Sequence, residues 1–228
     1  NAVRVNDTGG SVTVTNPGGL STESGLGLVV SNNTGDVTIE NFNITDTDGP
    51  GILAQNNKFV TNKGALFNNI AINQQTPTSN GVTLSNNIGT DINNTGITLN
   101  NLNVTTAGGG IGLFASTNDI VTMTGTNSVT STNAAAVSIS NGTGNHTLLF
   151  SDISSTLSNT NGVFLSGITG GTNKLDVTGG ITIDQASGPS LVMQDSTLTA
   201  NIPTTTITGG QIAGIQLVNM NDPSITAL

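Results

Sequence analysis

His146 is the only histidine of the chain, and there is no cysteine. It stands in Asn145-His146-Thr147, just ahead of an apolar run. A histidine that works as a general base needs a reacting group within hydrogen-bond reach and a partner that orients it. Its sequence neighbours offer neither, so His146 is read as incidental. The densest acidic stretch is Thr45-Asp46-Thr47-Asp48-Gly49-Pro50. Asp-x-Asp-Gly opens an oxygen-ligand loop, which makes Asp46 and Asp48 a candidate Ca²⁺ pair. The distal Glu of an EF-hand is missing, and a hard cation wants six or more oxygens, so backbone carbonyls and neighbouring segments would have to supply the rest. The plainer reading is a polar turn. No catalytic residue and no cofactor other than calcium is expected.

Four basic residues stand against thirteen carboxylates, for a net charge of −9. Arg4, Lys58, Lys63 and Lys174 are scattered and form no basic stripe. Phosphate neutralisation needs such a stripe, so nucleic acid is excluded as a partner. No apolar run approaches the roughly 20 residues that span a bilayer, so membrane insertion of this segment is not expected.

The elements that would position any site are strands and turns. Charged residues are 7% of the chain, aromatics are 3%, and Trp and Tyr are absent. Asn, Thr, Gly, Ser, Val and Ile dominate, an alphabet of β-branched and turn-forming residues. A disordered chain would carry more charge and fewer β-branched apolar residues.

Those residues repeat. A phrase of small residue, apolar, any, apolar occurs at Gly25–Leu28, Gly51–Ala54, Gly81–Leu84, Gly110–Leu113, Ala136–Ile139, Gly162–Leu165, Ser190–Met193 and Gly214–Leu217, with Ala2–Val5 as a ninth. The interval suits a solenoid repeat. A second phrase reads apolar-x-apolar-x, a turn residue, then usually another apolar pair, as in Ile97-Thr-Leu-Asn-Asn101-Leu-Asn-Val104. It aligns Asn16, Asn41, Asn69, Asn101, Gly125, Asp152, Gly179 and Gly209. All are residue types that tolerate the left-handed backbone region.

The expected fold is therefore all-β: a right-handed parallel β-helix of about nine coils, with three short strands per coil and the last two flanking the Asn/Gly bend. Coils stacked about 4.8 Å apart make a rod of about 40 Å. One domain covers 1–228, and the absence of an amphipathic cap at Asn1–Thr8 or Ile225–Leu228 suggests a segment of a longer solenoid. Loops of variable length, such as 55–63, 46–50 and 74–80, are where function would be grafted.

Alternation puts Thr13, Thr38, Thr98, Thr122 and Thr206 on the outward side of the second strand. Such a row can face a regular lattice such as ice, although Leu66, Leu149 and Asp176 are expected to interrupt it. Outward Thr is also simply a good strand former. Phe164 and Val192 should be outward neighbours on adjacent first strands, a small apolar patch for a partner or a covering loop.

The coil with its Asn-rich bend resembles the pectate-lyase-type β-helix. The charge-poor, Cys-free, Asn/Thr/Gly-rich texture is similar to β-helix repeats of bacterial exoproteins, namely autotransporter passengers and filamentous-haemagglutinin-like adhesins. The resemblance covers the whole chain as a pattern and brings no catalytic motif. It implies a secreted or cell-surface bacterial location and a non-catalytic stalk or adhesin segment. Its partners would be glycans, another surface protein or a like solenoid. The alternative it implies is a carbohydrate-binding or lyase-like module, calcium-dependent through Asp46 and Asp48. Enzymes on this fold bring several carboxylates and a basic residue, or paired acids, into one loop cluster, and this chain lacks that constellation. Ice binding is the third reading.

Overall fold

A Gly-apolar-x-apolar phrase forms a strand because its alternation buries every second side chain against the same phrase of the next coil. In the computed structural model this happens nine times. Val3–Asn6, Leu28–Ser31, Ile52–Gln55, Val82–Ser85, Leu113–Ser116, Val137–Ser140, Val163–Ser166, Leu191–Gln194 and Ile215–Val218 pair in that order as one parallel sheet. The structure describes residues 3–16, 25–60, 63–75, 78–89, 96–220 and 225–226. Ala2, the start of the ninth phrase, lies outside them, as do Asn1, Ala227 and Leu228 at the ends and residues 61–62 and 76–77 of the variable loops.

The second sheet is also parallel. It runs Val12–Thr15, Val37–Thr45, Ala65–Gln74, Ile97–Thr106, Val121–Thr124, Thr147–Thr156, Lys174–Asp184, Thr199–Asn201 and Ile225–Thr226, with Ser128–Thr132 and Thr205–Thr208 alongside. Lys58–Phe59 and Ile88–Gly89 form a small third sheet. The chain is a parallel β-solenoid of about eight turns. The expected three strand segments per coil are present, with the second and third separate in Val121–Thr124 and Ser128–Thr132. Where the bend is tight, the second and third strands run on as one bent strand, as in Val37–Thr45 around Asn41 at φ 64°.

Two registers also differ from the expected ones. The phrases Gly25–Leu28 and Gly110–Leu113 are displaced by two residues. Leu28 pairs with Ile52, and Leu113 pairs with Val82. Gly27 and Gly112 are therefore the true counterparts of Gly51 and Gly81, and a Cβ at Gly27 would run into the Gly51 carbonyl. A slip of two keeps the same side chains inside, so alternation alone cannot detect it.

The bend alignment also breaks, in its later coils. Asn41, Asn69, Asn101 and Gly125 stack with positive φ. Asp152 instead pairs with Ser128 beyond the bend, and Gly209 follows Thr208, whose strand pairs with the end of Lys174–Asp184. The interior is a continuous column of Val, Ile and Leu with Phe42, Phe59, Phe67 and Phe150, all buried. Dispersion and burial between neighbouring coils hold the stack together, since no coil encloses its own apolar side.

A corner that the sequence reading did not single out is the most regular of all. The residue after each first strand has positive φ in every coil: Asp7, Asn32, Asn56, Asn86, Thr117, Asn141, Gly167, Asp195 and Asn219. The residue that follows points inward and is Asn33, Asn57, Asn87 and Asn118 in four consecutive coils, each at most 2% exposed. Their amides form a ladder: Asn33 donates to Asn57 Oδ1 at 3.0 Å, Asn57 to Asn87 at 2.7 Å, and Asn87 to Asn118 at 2.7 Å. Each Nδ2 also reaches a strand carbonyl, of Val5, Val30, Ala54 and Leu84 in turn. Buried amides are tolerable only when satisfied in this way.

Candidate binding face

His146 lies inside the barrel of coils. Its side chain is 0% exposed and continues the column Ala65, Ile97, Val121. Its Nδ1 accepts the Val121 N–H at 3.3 Å, and its own N–H donates to Asn173 Oδ1 at 2.9 Å. The Nε2 atom is buried with no hydrogen-bond partner. It faces Gly142, where a Cβ would overlap it. Burial lowers its pKa to about 4, against the opposing pull of the Asp119 carboxylate. The imidazole is neutral at ordinary pH and sealed from solvent, so it fills the core where a ladder amide would otherwise stand.

Asp46 and Asp48 fasten turns. Asp46, at φ 45°, accepts the Gln75 N–H in the following coil at 2.6 Å. Asp48 accepts the Gly25 N–H in the preceding coil at 3.1 Å. The two carboxylates thus clamp backbone on opposite sides of their own loop. Among the described residues no group of three or more His, Cys, Asp or Glu assembles around a point that could hold a metal ion.

The threonine row is Thr13, Thr38, Leu66, Thr98 and Thr122 in register, followed by Thr147, Lys174 and Thr199. Leu66 interrupts it as expected. The second interruption is Lys174, ion-paired to Asp176 at 2.5 Å, and not Leu149 or Asp176 themselves. Thr206 does not belong to this row. It pairs with Thr182 on the far side of the bend. Thr206 is misassigned because Thr205–Thr208 lies beyond the bend and Thr199–Asn201 is the second strand of that coil. The two-residue shift from Leu149 to Thr147 comes from His146, which takes an interior place that sequence reasoning reserves for an aliphatic residue. Asn173 does the same one coil later, and reading Leu148 or Leu175 as first in line shifts everything after it by two.

Phe164 and Val192 are adjacent in register, as expected. Val192 is only 2% exposed and Phe164 half-buried, so they do not form an open apolar patch.

The outward side chains that remain fall into two kinds. On the second strands they are tied to one another up the stack. Asn68 donates to Glu40 at 3.0 Å, Asn100 to Asn68 at 2.8 Å, and Thr124 to Asn100 at 3.1 Å. At the bend Asn69 donates to Asn41 at 2.8 Å. On the third strands a different surface emerges. One outward row is Asn43, Ala71 and Asn103, and the next is Thr45, Asn73 and Thr105. The second row continues through Thr130, Ser154, Thr182 and Thr206.

Between Asn43 and Asn103 the small side chain of Ala71 leaves a groove of about 350 Å³, lined by these amides and hydroxyls together with Ile44 and Ile72. Asn43, Thr45 and Thr105 make no side-chain hydrogen bond to any described residue. Ile44 and Val104 are buried, and strand alternation turns their neighbours outward. That Ala71 falls between two asparagines depends on the register of three coils. Compared with known proteins, the chain matches no family model, no curated protein and no solved structure.

Proposed function

We propose that this solenoid is a non-catalytic rod of a secreted or surface-exposed bacterial protein, a stalk or adhesive segment that meets glycans or a like solenoid through its outward faces. The observation that carries the reading is the third-strand face. It is a row of Thr, Asn and Ser side chains in register across seven coils, with hydroxyls and amides turned to solvent and, among the described residues, no group of three or more His, Cys, Asp or Glu that could hold a metal ion. Polar, uncharged groups held at a constant coil spacing on a rigid scaffold suit an extended partner more than a single small molecule. The interior supports the rod role, since every coil is zipped to its neighbours by parallel ladders and buried apolar contact.

The test is retention of the purified chain on a broad glycan panel, with Ca²⁺ and again with EDTA, together with a size analysis of the bound polysaccharides. Retention that ignores EDTA and leaves chain length unchanged is the expected result. Loss of retention in EDTA would move the reading to a calcium-dependent module. Shortened polysaccharide would overturn the non-catalytic assignment.

A further inference from the structure

We infer that the groove over Asn43, Thr45, Ala71, Asn73, Asn103 and Thr105 is a binding site for an uncharged glycan chain lying along the rod axis. This deepens the reading above and rests on it.

The groove owes its shape to one small residue. Asn43, Ala71 and Asn103 are register partners on three successive coils, so a methyl group sits between two amides. Neighbouring coils in a sheet are about 4.8 Å apart, so the dip runs along the rod for about 10 Å. That is room for a short run of sugar rings laid end to end, whose own advance per ring is close to one coil.

Its chemistry is unspent, which separates it from the outward amide ladder of the second strands. The second-strand amides and carboxylate consume one another in the Glu40–Asn68–Asn100–Thr124 ladder. In the groove, Asn43, Thr45 and Thr105 have no such partner among the described residues. Asn103 Oδ1 accepts from Ser128 at 3.0 Å, and Asn73 Oδ1 accepts from the Gln75 side chain. Both keep their NH₂ groups for another acceptor. Amides and hydroxyls present donors and acceptors together, as do sugar hydroxyls, which need both.

Charge sets the class of sugar. No Lys or Arg lines the groove, so a carboxylate or sulfate would find no counter-ion. The Asp46 carboxylate follows Thr45 directly in the chain and adds a like charge. Neutral hexose, pentose or N-acetylhexosamine polymers fit, and polyuronates do not.

The test is an amide-resolved NMR titration of the whole chain with neutral hexasaccharides (β-linked glucose, xylose, mannose and N-acetylglucosamine series), with hexagalacturonate as the charged control. At least one neutral probe should shift the amides of residues 43–45, 71–73 and 103–105, and hexagalacturonate should not. Ala71→Phe fills the groove from an outward position and should weaken that probe at least tenfold. Gln216→Phe, exposed on the first-strand sheet in a distant coil, should leave it unchanged. Equal binding by Ala71→Phe and the natural chain, shifts that map elsewhere, or no neutral probe shifting these amides would overturn the groove assignment. If the glycan panel still retains the chain in that event, only the groove falls. If it does not, the glycan-binding reading falls with it.

Discussion

From Asn33 to Asn118 the solenoid closes its first corner with one buried asparagine per coil; in the next three coils the same position holds Gly142, Ile168 and Ser196. The backbone outline is shared, with positive φ at every one of these corners. The interiors differ in kind. In the first part an amide ladder satisfies the carbonyls that the corner exposes inward. In the second part the contents vary coil by coil. His146 leans over Gly142, Ile168 is apolar, and Ser196 accepts the Ile168 N–H at 3.0 Å. The corner conformation therefore does not depend on the ladder. The ladder is one way to fill the corner, and a histidine with a glycine opposite it is another.

The largest effect expected from breaking this contrast is Asn87→Ala. It removes the acceptor for Asn57 and the donor to Asn118 and to the Ala54 carbonyl. Buried polar groups left unsatisfied cost about 1–3 kcal/mol each, so the loss should be roughly 4 kcal/mol. Contacts in a solenoid are local. Amide exchange should therefore accelerate in the flanking coils, 52–60 and 113–120, and change little beyond Val163. Uniform acceleration would contradict a ladder that acts locally.

Acid should act on the other part. The folded-state pKa of His146 is lowered from 6.5 to about 4. Between these values the unfolded chain binds a proton that the folded chain refuses, so stability is full above pH 6.5 and falls as pH drops toward 4. The difference corresponds to about 3 kcal/mol. His146→Asn should flatten this window, because an amide oxygen can take the Val121 N–H as Asn173 takes that of His146. Urea midpoints of the two proteins at pH 8 and pH 4 measure it. A pH dependence that survives in His146→Asn would assign it to the carboxylates instead.

Gly142→Ala should cost about 1–3 kcal/mol in the natural chain through overlap with the imidazole. In the His146→Asn background it should cost much less, and the double-mutant cycle reads that coupling directly. The smallest effect should come from Asn68→Ala in the outward ladder, about 0.5 kcal/mol, because its partners can turn to water. A large loss there would mean that inward and outward ladders contribute alike.

Much of this architecture was legible in the residues. Gly51-Ile-Leu-Ala54 and its repeats announce a strand that buries alternate side chains, and Asn41, Asn69 and Asn101 announce a bend, since left-handed backbone admits few other residues. The corner from Asp7 to Asn219 passed unnoticed because Thr117 stands in it and Asn is common everywhere in the chain. The face was less legible than the fold. Thr98 and Thr122 were placed correctly. Thr206 was not, because Thr205–Thr208 lies beyond the bend and pairs with 181–184, while the row itself runs from Lys174 to Thr199.

Composition and periodicity alone settle that the chain is a stack of parallel strands with Val, Ile and Leu inside, because burial by alternation is a local property of each phrase. Which residue sits above which is not local. A slip of two residues preserves every inward side chain, so only packing between whole coils distinguishes Gly27 from Gly25 or puts Ala71 between Asn43 and Asn103. The groove, the amide ladder and the sealed histidine all exist in that cross-coil register, and the tertiary structure alone decides it.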